Sequence, residues 1–463
     1  MFFNYKFEQE NTNKQQNFAN EQSDEKEEDF FLTSDDKKIS IFRTCEEIHQ
    51  LFIDQNSFKI SKPINVLSNL IINEKLSSIP GFFQFDIPRI LFQFLLLDKE
   101  DIRDASVSCL VNFSSYEQSE ASFNSEVFCR NFLLAFDHEK MQSILEKMIV
   151  LFYNVCVFEN QNINSFFILN GIIKILINQF KTSSNKQMIE NSFDIISILC
   201  KSKLEKDDVL IIYGIICNFM KEYHFFNLYF IKIFYNLIKY ESFLYEEFCD
   251  YKLYDFVNES LYKNKLNIEV RYAINVVKNL IQKYNCYQLF DSIQILNLLV
   301  IEPQIKEEEM CLLSIANVVC LCLDNDKDLY SNLLSENSFK NILLLAQFRD
   351  TRFKVAMIKL ITRLVKEMKS NNFNLTFISD NNNQNIFNIL DDLIETNEPD
   401  VVRCSLDLIC LIFMKSTTFN LFDICKNLFQ NVFTPSLFDK SSEFQDEKII
   451  EFLYQIQSYL TAK

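Results

Sequence analysis

The sequence predicts an all-α protein, a right-handed α-solenoid of about nine repeats. Three observations predict it. Chain breakers are scarce, with three Gly and six Pro among 463 residues, far fewer than the turns of a sheet protein need. Apolar residues make up 48% of the chain and recur at helical spacing over long segments. One short pattern also returns nine times: an apolar residue, any residue, then a small or polar one, most often Asn.

That pattern sets the repeats in order. The slot is Asn69 in VLSNLI, Asn112 in CLVNFS, Asn154 in LFYNVC, Ser197 in IISILC and Asn236 in IFYNLI. It continues with Asn279 in VVKNLI, Asn317 in SIANVV, Thr362 in KLITRL and Cys410 in DLICLI. The intervals are 43, 42, 43, 39, 43, 38, 45 and 48 residues. Two positions before each slot the residue is always apolar: Leu67, Leu110, Phe152, Ile195, Phe234, Val277, Ile315, Leu360 and Leu408.

A second landmark marks where the slot-bearing helix begins. A polar turn precedes a β-branched residue and Arg in KEDIRDAS at 99–106, LNIEVRYA at 266–273 and EPDVVRCS at 398–405, with DTRFKVA at 350–356 as a looser form. Acidic residues there suit the positive end of a helix dipole. A third landmark, DIPRILFQFL at 86–95 and NGIIKILINQF at 170–180, is an apolar helix ahead of the slot helix. Each repeat is thus two or three helices, and its apolar faces can be buried only by stacking on neighbours.

The ends differ from the array. Residues 1–38 hold Lys6, Lys14, Lys26, Lys37 and Lys38 against ten acidic residues, including the run EQSDEKEED, and read as a disordered acidic tail. Residues 39–435 form the array, and residues 436–463 a C-terminal capping helix. The polar stretch SNNFNLTFISDNNNQN at 370–385 falls in the longest interval and reads as a surface loop.

The repeat resembles the armadillo family, most closely importin-α. The resemblance rests on the "I-P-x-L" second helix, the polar turn, the third helix ending in small-x-x-x-apolar-x-Asn-Leu, and the Gly171-Ile172-Ile173 entry to a second helix. HEAT repeats share the period, but their helix-borne Pro and Asp-Arg ladder are not evident. The resemblance implies that third helices line a concave groove whose Asn side chains hold the backbone of an extended partner. The partner-binding residues so implied are Asn69, Asn112, Asn154, Asn236, Asn275, Asn279 and Asn317, with Glu309 at a helix start. The plain alternative is that such an Asn only closes a helix or turn, and that Glu309 only answers the helix dipole.

Two devices of importin-α are missing. Its Trp four residues before the Asn has no counterpart, since the chain has no Trp and carries Asn65, Ser108, Val150, Phe193, Lys232, Asn275 and Leu313 there. Its basic N-terminal segment is replaced by an acidic one. Two functions therefore stay open: an importin-α-like adaptor in nuclear protein import, and an armadillo scaffold in cytoskeletal, ciliary or signalling assemblies. Either binds a protein or extended peptide, basic ones included.

Composition excludes other classes. The net charge of −17 disfavours nucleic acid and anionic membranes. Fourteen Cys without a CxxC spacing and only three His give no metal-binding pattern. No glycine-rich phosphate loop or nucleophile-and-base pattern is present. The expectation is a protein without enzymatic activity, cofactor, metal or small-molecule substrate, in the cytoplasm or nucleus.

Overall fold

The computed structural model describes residues 34–55, 59–72, 80–116, 119–181, 185–220, 226–263, 265–299, 306–323, 351–370, 386–396, 398–432 and 446–461, with 342 and 373. Among the described residues the regular structure is helical throughout, without a strand. Residues 1–33 of the expected tail, most of the expected loop at 370–385, and residues 433–445 lie outside them.

The chain forms two compact parts, Met1–Ile215 with Tyr240–Phe243, and Ile216–Lys239 with Leu244–Lys463. In the first part, repeat one is Ser34–Ile53 and Ser61–Ile71. Repeats two, three and four each have a first, second and third helix: Pro80–Gln84, Ile87–Phe94 and Glu100–Ser114; Glu120–Phe123, Glu126–His138 and Gln142–Val157; Gln161–Leu169, Ile172–Lys181 and Lys186–Leu199. Third helices pack on one another in succession, and second helices back them.

In the second part, repeat five contributes the third helix Asn227–Lys239, and repeat six is Tyr245–Asp250, Leu253–Leu261 and Ile268–Tyr284. Repeat seven opens on the 3-10 turn Tyr287–Leu289, followed by Ser292–Leu299 and Lys306–Leu323. The third helices of repeats eight and nine are Thr351–Glu367 and Pro399–Thr418, the latter preceded by Ile386–Ile394. The helix Glu447–Thr461 packs on Pro399–Thr418 as the next third helix would.

Local chemistry explains the boundaries. The third helices of repeats two, six and nine begin at Glu100, Ile268 and Pro399, inside the three Arg-bearing motifs. Asn267 caps the second of these, its side chain accepting from the Val270 N–H at 2.9 Å. The first-to-second helix corner needs a left-handed residue in repeats two, four and six: Asp86 at φ 50°, Gly171 at φ 77° and Lys252 at φ 54°. Only Gly takes that conformation at little cost, so a chain with three glycines carries strain at the other two corners.

One boundary differs from the sequence reading. The first helix starts at Ser34, within the stretch expected to be tail. The Lys37 ammonium donates to the Ile72 carbonyl at 3.3 Å, tying this charged start to the end of the next helix.

Phenylalanine forms much of the core in the first part. A chain of rings runs Phe82–Phe113 at 4.6 Å, Phe113–Phe123 at 5.4 Å, Phe123–Phe128 at 4.9 Å, Phe128–Phe132 at 5.6 Å and Phe132–Phe152 at 5.3 Å. It ends at Phe152–Phe167, 4.6 Å apart, and so joins repeats two, three and four in one continuous apolar seam.

Candidate functional site

The site expected from sequence is the row of third helices. At about 100° per residue, positions −7, −4, −3, +3 and +4 from the slot lie within about 60° of it. The opposite side of the same helix is core, as Phe230, Phe234 and Ile238 show in repeat five, each no more than 1% exposed. The slot therefore marks the helix face turned away from the second helices.

The slot residues divide into three groups. Asn112 and Asn154 are spent within the array. The Asn112 amide donates to the Ser68 carbonyl at 3.1 Å and to its hydroxyl at 2.9 Å. The Asn154 amide donates to the Ser114 hydroxyl at 2.9 Å. Each ties a third helix to the one before it. Asn154 is 3% exposed and Asn236 8%, so these two are not open to a partner, contrary to the expectation of a wet groove at every slot. Neighbouring third helices approach closely enough to close over the slot there. Ser197, Thr362 and Cys410 are buried too.

The second group is Asn317, half-exposed on the face, its amide donating to the Leu313 carbonyl of its own helix at 2.9 Å. Asn275 and Asn279 are half-exposed on repeat six, and Asn69 is exposed on repeat one. Glu309 is half-exposed in the first turns of its helix, about 80° from the slot direction and so at the rim of the face. Asn69, Asn275 and Asn279 form the third group, since each can present its amide outward, with donors and an acceptor together.

The division gives a direct test. Asn154→Ala removes a buried donor from Ser114 and should cost about 1–3 kcal/mol, whereas Asn69→Ala should stay within about 0.5 kcal/mol. Urea unfolding of the two variants, followed by circular dichroism, measures the difference.

Sequence reasoning missed a second ladder. Donors from one repeat cap the helix ends of the repeat before. The Tyr116 hydroxyl donates to the Ile71 carbonyl, Lys283 to the Ile238 carbonyl at 3.2 Å, Arg363 to the Cys320 carbonyl at 2.5 Å and Lys415 to the Lys366 carbonyl. Second helices do the same with amides: Asn131 to Phe92 at 3.0 Å, Gln179 to Phe136 at 3.2 Å and Gln294 to Leu261 at 3.0 Å. Terminal carbonyls have no partner within their own helix, and cations at that end also answer the dipole. The signal was present as a polar residue about one repeat after each helix end.

The Arg landmark has a partner in repeat two. Arg103 meets Glu139 at 2.7 and 3.2 Å and donates to the Leu97 carbonyl at 2.8 Å. Glu139 also accepts from the N–H groups of Lys140 and Met141, each at 3.0 Å. Burial alone pushes the Glu139 carboxyl up, but Arg103 and the two N–H groups outweigh it and hold it below its ordinary value. The same hydrogen bond pushes the Arg103 guanidinium up.

Among the described residues, no group of three His, Cys, Asp or Glu is placed to hold a metal. All fourteen cysteines are free, and burial pushes thiols up, to about 12 for Cys45 and about 11 for Cys425, away from nucleophilic reactivity. No helix there is long and apolar enough to cross a membrane. An open cleft lined by Lys99, Glu100, Asp101, Asp104, Ser143 and Lys147 is partly satisfied by the Lys147–Asp104 ion pair at 2.7 Å.

No family model matches the sequence, and no curated protein matches it. Solved structures do. An engineered protein from a structural genomics consortium is similar at 8% identity and a TM-score of 0.67, over 90% of this chain and 99% of that one. A chain from a structure described as a conserved phosphorylation switch controlling the interaction between cadherin and beta-catenin is similar at 11% identity and a TM-score of 0.58. That match covers 90% of this chain and 80% of the other. At such identities the likeness is one of fold: an all-α solenoid of armadillo-like helical repeats.

Proposed function

We propose that this chain is a protein-binding scaffold without catalytic activity, holding an extended segment of a partner along its third-helix face. The observation that carries the reading is the face of repeats five to seven. Tyr229, Lys232, Tyr272, Asn275, Asn279 and Asn317 are half-exposed there, on helices whose other faces are buried. Aromatic rings provide contact area at low entropy cost, and amides match the repeating groups of an extended backbone. The similar fold in a structure concerned with cadherin and beta-catenin binding is consistent with that use of the face.

The nuclear-import form of this reading, with residence in cytoplasm and nucleus, is the weaker one. Period and Asn slots support it. The absence of Trp and the placement of Lys232 where the clamp residue would stand oppose it, because a lysine there repels a basic cargo.

Selection of random 20-residue peptides on the full-length chain, followed by hydrogen exchange, tests the scaffold reading. Bound peptides should slow exchange in the third helices of repeats five to eight. Protection confined to second helices, or none, would reject it.

A further inference from the structure

We infer that Cys249 and Cys286 form an oxidation site of repeat six, a dithiol that peroxide closes to a disulfide. The two thiols come from separate elements. Cys249 lies on the first helix, Tyr245–Asp250, and Cys286 in the turn that leaves the third helix, Ile268–Tyr284. Both are hydrogen-bonded to one group, the hydroxyl of Tyr245. A phenol can donate to one sulfur while the other thiol donates to it. Two sulfurs on one oxygen stand within two hydrogen-bond lengths of each other, leaving a rotamer change at either cysteine to bring sulfur to sulfur.

The surroundings hold this arrangement in place. The Tyr245 ring stacks on that of Tyr284, with centroids 4.3 Å apart and planes 8° from parallel. Asn285 then turns the chain in the left-handed region at φ 52°. Its N–H donates to the Ile281 carbonyl at 2.9 Å, and the Leu289 N–H donates to the Cys286 carbonyl at 3.1 Å, so Cys286 is pinned on both sides. Cys249, one turn after Tyr245, is half-exposed, whereas Cys286 is buried. Burial pushes the Cys286 thiol up to about 11, and the Tyr245 hydroxyl offsets part of this. Cys45 with Cys109 and Cys129 with Cys156 also lie near each other, but all four are buried and out of an oxidant's reach.

Exposure divides the roles. Cys249 meets hydrogen peroxide first: its thiol takes one oxygen to become a sulfenic acid, and the rest of the peroxide leaves as water. The Cys286 sulfur then attacks the Cys249 sulfur. The S–O bond breaks, and the departing hydroxyl takes the Cys286 proton and leaves as a second water. Two thiols are oxidised and one peroxide is reduced. The product ties the first helix of repeat six to the residue before the opening turn of repeat seven, Tyr287–Leu289. Cys286 lies in sequence between the helices that bear Asn279 and Asn317, so oxidation fixes the junction of repeats six and seven.

The test treats the full-length chain with hydrogen peroxide, alkylates it in denaturant, digests it and identifies the peptides by mass spectrometry. The expected product is the Cys249 peptide joined to the Cys286 peptide, two hydrogens lighter than their sum and separated again by dithiothreitol. Two alkylatable thiols are lost with it. Cys286→Ser should leave Cys249 as a sulfenic acid that dimedone captures. Tyr245→Phe, which keeps the ring stack and loses the shared hydroxyl, should slow closure about threefold or more. Cys249 left reduced, Cys249 oxidised without the link, a link from Cys249 to another cysteine, or a link that forms only in the urea-unfolded chain would each overturn the proposal. None of these outcomes bears on the scaffold reading, which the proposal does not use.

Discussion

Phe132→Ala should lower the stability of the first compact part by about 3–5 kcal/mol, the largest single effect expected in the chain. Phe132 is fully buried. Its ring lies 5.6 Å from Phe128, 5.4 Å from Phe136, 5.3 Å from Phe152 and 5.9 Å from Phe167. Three of those partners lie in its own repeat three and Phe167 lies in repeat four, so the deletion opens a void in the core of repeat three where that repeat meets the next. In a repeat array, stability is a sum of repeat terms and nearest-neighbour interfaces. Loss of one interface should therefore also uncouple the repeats, broadening the urea transition and splitting it. Leu134→Ala, on the same helix but 52% exposed, should change stability by less than about 0.5 kcal/mol. Equal effects of the two substitutions on the urea midpoint would show that the ring seam is not what couples the repeats.

The second large effect belongs to Glu139. Its side chain is 2% exposed, and that of Arg103 is 18%. Glu139→Gln leaves a guanidinium facing a neutral amide in a largely dry place, and should cost about 2–4 kcal/mol. Replacing both, Arg103→Met with Glu139→Met, should cost clearly less than the single change, because no charge is stranded. The pH dependence has a definite sign. The folded carboxyl titrates below its ordinary value, so its stabilisation is complete above the unfolded pKa of about 4.3. It is lost as pH falls through the lower folded value. Glu139→Gln should therefore flatten the fall in stability below about pH 4. Urea titrations of wild type and variant at pH 7 and pH 3 report it; parallel losses in both proteins would assign the acid sensitivity to other groups.

Much of the fold was legible because a solenoid writes itself repeatedly. The slot spacing, the Arg-bearing starts at 99–106, 266–273 and 398–405, and the apolar segment at 86–95 each correspond to helices of the structure. The first helix was cut short because its opening residues, Asp35, Asp36, Lys37 and Lys38, continue the charge pattern of the tail. The bond from Lys37 to the Ile72 carbonyl distinguishes this start from the tail.

The candidate site was legible in place but not in partnership. Periodicity puts Asn112 and Asn275 on one face, yet whether an amide is spent depends on what the neighbouring helix offers beside it. Ser68 and Ser114 accept from Asn112 and Asn154, and those serines carry no mark of the role in sequence.

The capping ladder gives the array a direction in time. At the second- and third-helix ends described above, the acceptor lies in the earlier repeat and the donor in the later one, as in Asn131 to Phe92 and Lys283 to Ile238. During synthesis, a repeat that has just left the ribosome holds its terminal carbonyls in water until about forty more residues follow, a delay of a few seconds at about 5–20 residues per second. Assembly is then vectorial, each repeat sealing the one made before it. Glu447–Thr461, made after Pro399–Thr418, docks on it and so covers the third helix that preceded it.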